Sequence, residues 1–459
     1  MDGSRHPSRF CVIRASVYTR LPPMPIDPPR LKAQDAAIAR FNRACRLFAL
    51  AWLVIALPAS LWIRPTYQDL SGIYIGGLVA RLGAWDVLYP IPSGDSSYYV
   101  GEKGQSVQKP LLLQIAADHG VREVNPYLNP PWQAWVLLPL GWLTFQQAHW
   151  VVVGINILCT WGVAVAAGRG FELAAGRRSW AAGGVVLLVA CSPLAYRSIR
   201  VQNLSPAVAF CIAVAAGDLL KSDRHSGFAG GLAIAVGGLI KIATGALVPL
   251  SVAMRRWRLL GWAAGLTVLA VALTWNMAGT PTFREFFGSI APTLGHSSTN
   301  LGNKSLQGFL LRATGRSPLP RALGVGFQLL RLGTLSLIVW LLFRRRPVSW
   351  PMYWKEPAHV FAASVVLLSW LLIFTPLCWE HYFMYLCPFW GWLLWEGTRS
   401  RGRMIASVIA IALHWFPLPT LRWLTLREPL NSYMLMGSVL MLAIAVLRLG
   451  ESGSERPGV

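Results

Sequence analysis

The hydrophobic pattern of the chain consists of long apolar runs separated by short polar segments. The runs are continuous, without the alternation of a half-buried strand, and most have about 17–25 residues, the length of a helix that crosses a bilayer. They predict twelve crossings, at roughly 47–63, 148–168, 179–196, 203–220, 227–240, 243–255, 258–277, 325–343, 358–375, 382–396, 403–417 and 431–448. The predicted fold class is all-α, a polytopic transmembrane helical bundle.

Basic residues between the runs predict the orientation. With the N-terminus inside, the inner segments hold more Lys and Arg than the longer outer loops, as the positive-inside rule requires. Residues 1–46 are expected to be a disordered basic cytoplasmic tail, in which Met24 is an alternative start. Residues 47–450 are expected to form one transmembrane domain, and 451–459 a short cytoplasmic tail. The expected location is the plasma or inner membrane of the cell.

Two predicted outer loops, 64–147 and 278–324, are long enough to build a site. Within the first, the segment 130–145 is apolar, short and rich in tryptophan. If it crossed the bilayer, basic clusters such as Arg255-Arg256-Trp257-Arg258 would lie outside. It is therefore expected to be an interfacial or re-entrant helix.

Composition agrees with a membrane protein, since charged residues make up only 13% of the chain against about 25% in soluble proteins. The net charge of +23 is attributed to topology and to contacts with anionic lipid of the bilayer. No nucleic-acid partner is expected. The seven cysteines show neither a C-x-x-C pair nor metal-ligand spacing and are expected to be apolar packing residues.

Polar residues that are unusual beside membrane helices fall on the predicted outer side of five segments. They are Asp69, the group Arg197, Arg200, Gln202 and Asn203, the residue Lys241, the stretch from Asn300 to Ser305, and the pair Glu380 and His381. Their convergence on one membrane face predicts a single extracytoplasmic site.

Each of these residues also has a structural interpretation. Asp69 is alternatively a solvated loop acid, Lys241 a snorkelling lysine, Arg200 an interfacial anchor, and Glu380 with His381 a solvated turn. Lys241 interrupts an otherwise apolar stretch, where a lysine is costly unless an anion or water meets it. That cost favours a functional role for Lys241.

A carboxylate, several cations and aromatic rings at a membrane surface suit the transfer of a sugar from a lipid phosphate. The carboxylate takes the proton of the acceptor hydroxyl. The cations hold the phosphate and stabilise the charge that develops as it leaves. Rings such as those of Tyr74, Trp379 and Tyr382 stack on sugar faces.

Five motifs follow one another over about 64–400. They are Asp69 with Tyr74 and Trp85 to Tyr89; Tyr127-Leu128-Asn129-Pro130-Pro131; Val201-Gln202-Asn203; Gly230-Gly231 to Lys241 with Pro249 and Arg255-Arg256-Trp257-Arg258; and Asn303-Lys304-Ser305-Leu306 with Thr375 to His381. Their order and spacing resemble the GT-C-fold glycosyltransferases, especially the polyprenyl-phosphate-mannose-dependent mannosyltransferases of glycosyltransferase family 87. Two departures are a glycine lost before Gln202, with shortened spacing, and Ile242-Ala243-Thr244 in place of a proline-containing turn.

The resemblance implies transfer of a hexose, with inversion, from a polyprenyl-phosphate donor to an extracytoplasmic glycolipid or glycan acceptor. Mannose is the first expectation; arabinofuranose and glucose are alternatives. Asp69 is implied as the general base, and the phosphate- and lipid-binding residues are Lys241, Arg200, Gln202 and Asn203. The implied substrate-binding residues are Tyr74, Tyr127, Asn303, Ser305, Trp379, Glu380, His381 and Tyr382.

No cofactor and no metal site are expected. No carboxylate pair with ligand spacing lies near Asp69, and Asp86 and Asp95 are the nearest candidates for a divalent ion. Three other classes remain open: a transporter or flippase of lipid-linked glycans, a polysaccharide ligase or polymerase, and a non-catalytic membrane scaffold. A transporter should place its polar residues at mid-membrane and show internal repeats.

Overall fold

The computed structural model describes residues 28–63, 68–91, 108–221, 227–295, 297–300, 302–344, 353–415 and 432–451. Within these ranges the regular structure is helical, apart from one isolated bridge between Asn303 and Trp379. The first helices are α1 (Pro28–Ile63), α2 (Gln68–Leu82), α3 (Pro110–Asp118) and α4 (Pro131–Val136). Next come α5 (Phe145–Ala175), α6 (Trp180–Ala190), α7 (Pro193–Arg200), α8 (Ser205–Leu219), α9 (Phe228–Ile240), α10 (Val248–Ala253) and α11 (Trp257–Glu285). The last are α12 (Ala291–Leu294), α13 (Leu306–Thr314), α14 (Arg321–Phe343), α15 (Pro357–Phe374), α16 (Trp390–Gly397), α17 (Arg401–Trp415) and α18 (Tyr433–Gly450).

Six helical stretches of the described residues are long and apolar enough to cross a membrane. They are Phe145–Ala175, Trp180–Arg200, Trp257–Leu294, Arg321–Phe343, Pro357–Phe374 and Tyr433–Gly450. The apolar helices α8 and α9 are shorter, with 15 and 13 residues, or about 20–23 Å against a hydrocarbon core of about 30 Å. All twelve predicted runs are mainly helical where they are described, but the count of twelve crossings is not confirmed.

The predicted N-terminal tail requires a correction, because α1 makes residues 28–46 helical. Ile38, Asn42 and Cys45 recur at helical spacing and are buried on one face. Asn42 Nδ2 donates a hydrogen bond to the carbonyl of Ser179 over 3.1 Å. This packing orders a segment whose composition alone predicts disorder. Residues 1–27, with Met24, lie outside the described residues.

The first predicted outer loop contains the unexpected helix α2, which begins next to Asp69. The segment 130–145 forms α4 and a 3₁₀ helix at Leu138–Trp142. With 6 and 5 residues, both are too short to cross a bilayer; their position at the interface remains a prediction. Glycines let α2 approach this segment, because a Cβ on Gly77 would lie 2.3 Å from the carbonyl oxygen of Leu137.

Two predicted runs are interrupted. The run 179–196 breaks after Ala190, where Ser192 caps α7 by accepting a hydrogen bond from the Ala195 amide over 3.2 Å. The run 382–396 begins as a 3₁₀ helix, Glu380–Phe389, before α16. Both breaks lie beside polar residues singled out in the sequence. Irregular backbone is tolerated near a membrane where it is buried in protein.

The two ends of helix α8 mark the two ends of the bundle. At its first end, just before Ser205, lies Asn203 with its partners; we call this the site end. At its second end, Asp218 pairs with Lys221 over 2.9 Å. The site end therefore gathers the start of α2, the turn before α8 and the turn after α9.

A buried ionic network lies at the end opposite the site. Fully buried Glu396 pairs with Arg399 over 3.8 Å and with Arg403, and Arg448 joins the network through Glu451 over 3.0 Å. These residues connect the ends of α16, α17 and α18. The charges are paired within the protein, which is how buried ionic groups are normally accommodated. At this end of the bundle, ion pairs therefore hold the helix ends together.

Candidate active site

The centre of the site end is a chain of three side chains. Asn203 Nδ2 donates to Asp69 Oδ2 over 2.6 Å, and Lys241 Nζ donates to Asn203 Oδ1 over 2.8 Å. Three segments that are remote in sequence meet here: the start of α2, the turn before α8 and the turn after α9. The structure thus brings together the proposed base, the proposed phosphate ligand and one further predicted residue.

Backbone contacts hold these three residues in place. The Asp69 amide donates to the carbonyl of Val201 over 3.3 Å, which ties α2 to the turn before α8. Asn156 Nδ2 of α5 donates to the Asn203 carbonyl over 3.0 Å. Gln133 Nε2 of α4 donates to the Ile240 carbonyl over 2.9 Å, directly before Lys241. Each member is therefore fixed by an element other than its own.

Gln202 adopts the left-handed backbone region, with φ of 55°, which is uncommon for a residue with a side chain. This is the turn where the family pattern has an additional residue and a glycine. Gln202 is fully buried. Strain of this kind persists where the surrounding structure imposes it, and here it aims the next residue, Asn203, at Asp69.

Burial acts on the two charged groups in opposite directions. Desolvation raises the pKa of the Asp69 carboxyl above its ordinary value, opposed by the charge of Lys241 and the hydrogen bond from Asn203. Desolvation lowers the pKa of the Lys241 ammonium to about 8, opposed by the charge of Asp69. Lys241 Nζ also lies 4.2 Å from the ring centroid of Tyr382, a cation–π contact. The pair thus combines a carboxylate of increased basicity with a cation at neutral pH.

A second charged cluster lies next to the first along the 3₁₀ helix Glu380–Phe389. Buried Glu380 pairs with Arg197 Nη1 over 2.5 Å and with Lys304 Nζ over 3.4 Å. Burial lowers the pKa of Lys304, opposed mainly by the charge of Glu380. Arg197 is the exposed member, with 46% of its side chain accessible. The sequence did not predict that Glu380 forms ion pairs with both Arg197 and Lys304, because these partners are distant along the chain.

His381 lies between these clusters, since its neighbours Glu380 and Tyr382 contact Arg197 and Lys241. Its Nε2 atom is buried and has no hydrogen-bond partner among the described residues. Burial, together with the charges of Lys241 and Arg197, lowers the pKa of His381 well below its ordinary value. It is therefore a neutral imidazole with an unused ring nitrogen.

Asn303 and Ser305 hold a loop in place. Asn303 Nδ2 donates to the Pro376 carbonyl over 3.0 Å, and Asn303 Oδ1 accepts from the Cys378 amide over 2.9 Å. Ser305 Oγ also donates to the Pro376 carbonyl, over 3.1 Å. Both side chains are fully buried. They attach the start of α13 to the segment before Glu380 and so position Lys304.

The aromatic residues predicted at the site fall into two groups. Tyr74 and Tyr127 are buried in the core, where their hydroxyls donate to the carbonyls of Leu143 and Pro130 over 2.9 and 3.1 Å. Trp379 and Tyr382 are partly exposed at the site end. A Cβ on Gly302 would lie 2.8 Å from the Trp379 ring, so the ring also packs against the loop before α13.

Two further predicted residues lie at the edge of the site. Arg200, half-buried, ends α7 one residue before Val201, which bonds the Asp69 amide. Of the two candidates for metal ligation, Asp86 is exposed and its carbonyl accepts from Lys109 Nζ over 2.6 Å. Asp95 lies outside the described residues. No group of three His, Cys, Asp or Glu side chains suited to a metal occurs in the described part of the chain.

Two comparisons relate the chain to known proteins. The model of glycosyltransferase family 87 matches residues 127–376, which include Asn203, Lys241 and Asn303 but neither Asp69 nor Glu380. The chain is 24% identical over 275 residues to proteins named "Alpha-(1->3)-arabinofuranosyltransferase" from Mycobacterium tuberculosis strains CDC 1551 / Oshkosh and ATCC 25618 / H37Rv. The match covers 58% of this chain and 58% of each relative.

No solved structure gives a significant match. The family match extends over more than half of the chain and contains Asn203, Lys241 and Asn303, whose geometry is described above. The chain therefore belongs to glycosyltransferase family 87.

Proposed function

We propose that the protein transfers a sugar from a polyprenyl-phosphate donor to a hydroxyl of a glycolipid or glycan acceptor, with inversion at the anomeric carbon. The observation that carries the proposal is the chain Asp69–Asn203–Lys241, with contacts of 2.6 and 2.8 Å. It links a carboxylate and an ammonium group through one amide at one end of an apolar bundle, and these are the two groups that the reaction needs. Membership of glycosyltransferase family 87 supports the reaction class.

In the proposed reaction, the acceptor oxygen attacks the anomeric carbon of the donor. Asp69 accepts the hydroxyl proton as the new C–O bond forms. The bond from the anomeric carbon to the phosphate oxygen breaks, and its electron pair remains on the polyprenyl phosphate. Lys241 stabilises the increased charge of that leaving phosphate.

His381, Arg200, Trp379 and Tyr382 are proposed to contact the donor. His381 offers an unused Nε2 atom between two cations, and Trp379 and Tyr382 offer partly exposed rings for stacking. Glu380 is instead proposed to hold Arg197 and Lys304 in position, since both carboxylate oxygens are engaged in ion pairs. Asn303, Ser305, Tyr74 and Tyr127 are proposed to support the site from behind.

The site is proposed to face the extracytoplasmic side of the membrane, with both termini in the cytoplasm. The support is the distribution of basic residues. No bound cofactor is part of the proposal, because proton transfer and phosphate stabilisation are supplied by Asp69 and Lys241.

Two donor sugars are carried forward. Mannose is the expectation from the sequence motifs, and arabinofuranose is favoured by the names of the relatives. The test is transfer by purified protein in lipid, with polyprenyl-phosphate mannose, arabinofuranose and glucose compared with nucleotide sugars. Transfer from one of the lipid-linked donors is expected. Transfer from nucleotide sugars alone, or movement of lipid-linked glycan across the vesicle without transfer, would reject the proposal.

A further inference from the structure

The side chain of Asn203 forms hydrogen bonds with both Asp69 and Lys241. It is 7% exposed, so its surface is almost entirely occupied by protein. Its Nδ2 atom donates to Asp69 Oδ2 over 2.6 Å, and its Oδ1 atom accepts from Lys241 Nζ over 2.8 Å. No direct hydrogen bond or ion pair joins Asp69 to Lys241 in the part of the chain that the structure describes. The amide therefore stands between the two charges.

The orientation of this amide is imposed by its other contacts. Oδ1 also accepts from the Ser205 amide over 2.9 Å and from Ser205 Oγ over 2.7 Å. With three donors directed at Oδ1, the opposite orientation would place the NH₂ group against donors. Nδ2 must consequently face Asp69, whose Oδ2 atom must accept. This oxygen is therefore unprotonated, and a proton on the carboxyl group has to be carried by Oδ1.

We infer that Asn203 is a positioning residue that assigns separate tasks to its two neighbours and is not itself a ligand of the donor phosphate. By engaging Oδ2 it leaves Oδ1 of Asp69, which has no hydrogen-bond partner among the described residues, as the atom that accepts the proton. By separating Lys241 from Asp69 it prevents a direct ion pair, so the ammonium keeps N–H groups for the phosphate. This inference rests on the proposed function and refines the role of one residue within it.

An amide is suited to this task because it donates and accepts at the same time without carrying charge. A carboxylate at this position would accept from Lys241 but repel Asp69. An alanine would leave both charged groups short of a partner. Asn203→Asp and Asn203→Ala therefore change the pKa values of Asp69 and Lys241 differently. The pH dependence of kcat/KM measures both changes.

The other titratable groups around the pair are Tyr382, His381 and Cys378. Burial raises the pKa values of Tyr382 and Cys378 and lowers that of His381, so all three are neutral at neutral pH. The comparison of Asn203 variants with wild type therefore follows the charges of Asp69 on the acid limb of the pH profile and of Lys241 on the alkaline limb.

The test compares Asn203→Ala and Asn203→Asp with wild type by kcat/KM between pH 4 and pH 10. Asn203→Ala is expected to move the acid limb upward by about one pH unit, the effect of losing one charge-assisted hydrogen bond. Asn203→Asp is expected to move the acid limb further up, because two carboxylates then share the site. It is also expected to move the alkaline limb up, since added negative charge stabilises the ammonium.

Asn156→Ala is the matched control, because Asn156 holds the Asn203 carbonyl and not its amide. Its limbs are expected to stay at the wild-type positions even if its rate falls. If both Asn203 variants also lose rate without movement of either limb, Asn203 is only structural and the inference is wrong. Should Asn203→Ala fail to fold, Asn203→Asp, which keeps the contacts of Oδ1, decides the question by its alkaline limb. An active Asp69→Asn variant would reject the proposed function itself, which is a separate outcome.

Discussion

At the scale of the residue, Asp69 and Lys241 are shifted by the same cause in opposite directions. Desolvation raises the pKa of the carboxyl and lowers that of the ammonium to about 8, since burial disfavours either charge. The proposed mechanism requires Asp69 ionised and Lys241 protonated. Activity is therefore lost as pH falls through the raised pKa of Asp69, and lost again as pH rises through about 8.

We expect a bell-shaped profile of kcat/KM whose alkaline limb belongs to Lys241. Lys241→Arg should retain activity above pH 8, because a guanidinium keeps its charge there, whereas Lys241→Ala should raise the KM for the donor throughout. The measurement is sugar transfer at saturating acceptor across the pH range. An alkaline limb near pH 8 that persists in Lys241→Arg would assign that limb to another group.

The sequence identified the polar residues of the site better than their tasks. Asp69 and Lys241 stand out because each is costly in an apolar stretch. Tyr74 and Asn303 look like substrate ligands for the same reason, but their polar atoms bond Leu143 and Pro376. These partners lie far away along the chain, so no local pattern distinguishes a buried anchor from a ligand.

At the scale of the element, the packing of α2 determines the position of the Asp69 carboxyl group. α2 lies against the 3₁₀ helix Leu138–Trp142 through two glycines. A Cβ on Gly77 would lie 2.3 Å from the Leu137 carbonyl oxygen, and one on Gly141 would lie 2.4 Å from the Gly77 carbonyl oxygen. Both distances are far inside van der Waals contact, so the backbones would have to separate.

Gly77→Ala is expected to destabilise the protein by about 1–3 kcal/mol, the usual cost of overpacking, and to lower kcat by displacing Asp69. The matched control is Gly154→Ala in α5, where an added Cβ meets nothing within 4 Å. Thermal unfolding in detergent and transfer activity are the measurements. Equal stability and activity of the two variants would show that α2 does not depend on this close approach.

The pattern of apolar runs predicted most helices, but it missed α2 and the first part of α1. In α2 the polar and small residues Asp69, Ser71, Gly76 and Gly77 interrupt the apolar signal. They are tolerated because tertiary packing, and not propensity, stabilises the helix. In α1 the basic residues obscured a buried face that includes Ile38 and Asn42.

At the scale of the whole molecule, charged residues cluster at both ends of the bundle but differ in their exposure. At the site end, a charged side chain such as that of Arg197 stays partly exposed although it pairs with Glu380. The opposite end has a network in which Glu396 and Arg448 are buried among partners. The sequence anticipated the gathering of polar segments at one end. The number of spanning helices stays open, because α8 and α9 follow their predicted apolar runs closely but have only 15 and 13 residues.

Labelling of introduced cysteines tests the proposed orientation. Glu123, in the first outer loop, and Arg178, before α6, are both exposed and are predicted on opposite sides of the membrane. In a variant without the native cysteines, Glu123→Cys should react with an impermeant maleimide in intact cells, and Arg178→Cys only after permeabilisation. The reverse pattern would place the site in the cytoplasm.

The most direct test of the central claim is sugar transfer by Asp69→Asn with polyprenyl-phosphate donors in purified membranes. The substitution keeps the size of the side chain but removes the base, so transfer should fall by about 10²–10⁴-fold, the usual contribution of general base catalysis. Thermal unfolding should show that the variant remains folded, and donor binding should persist through Lys241. A folded Asp69→Asn protein that transfers sugar at the wild-type rate would contradict the account.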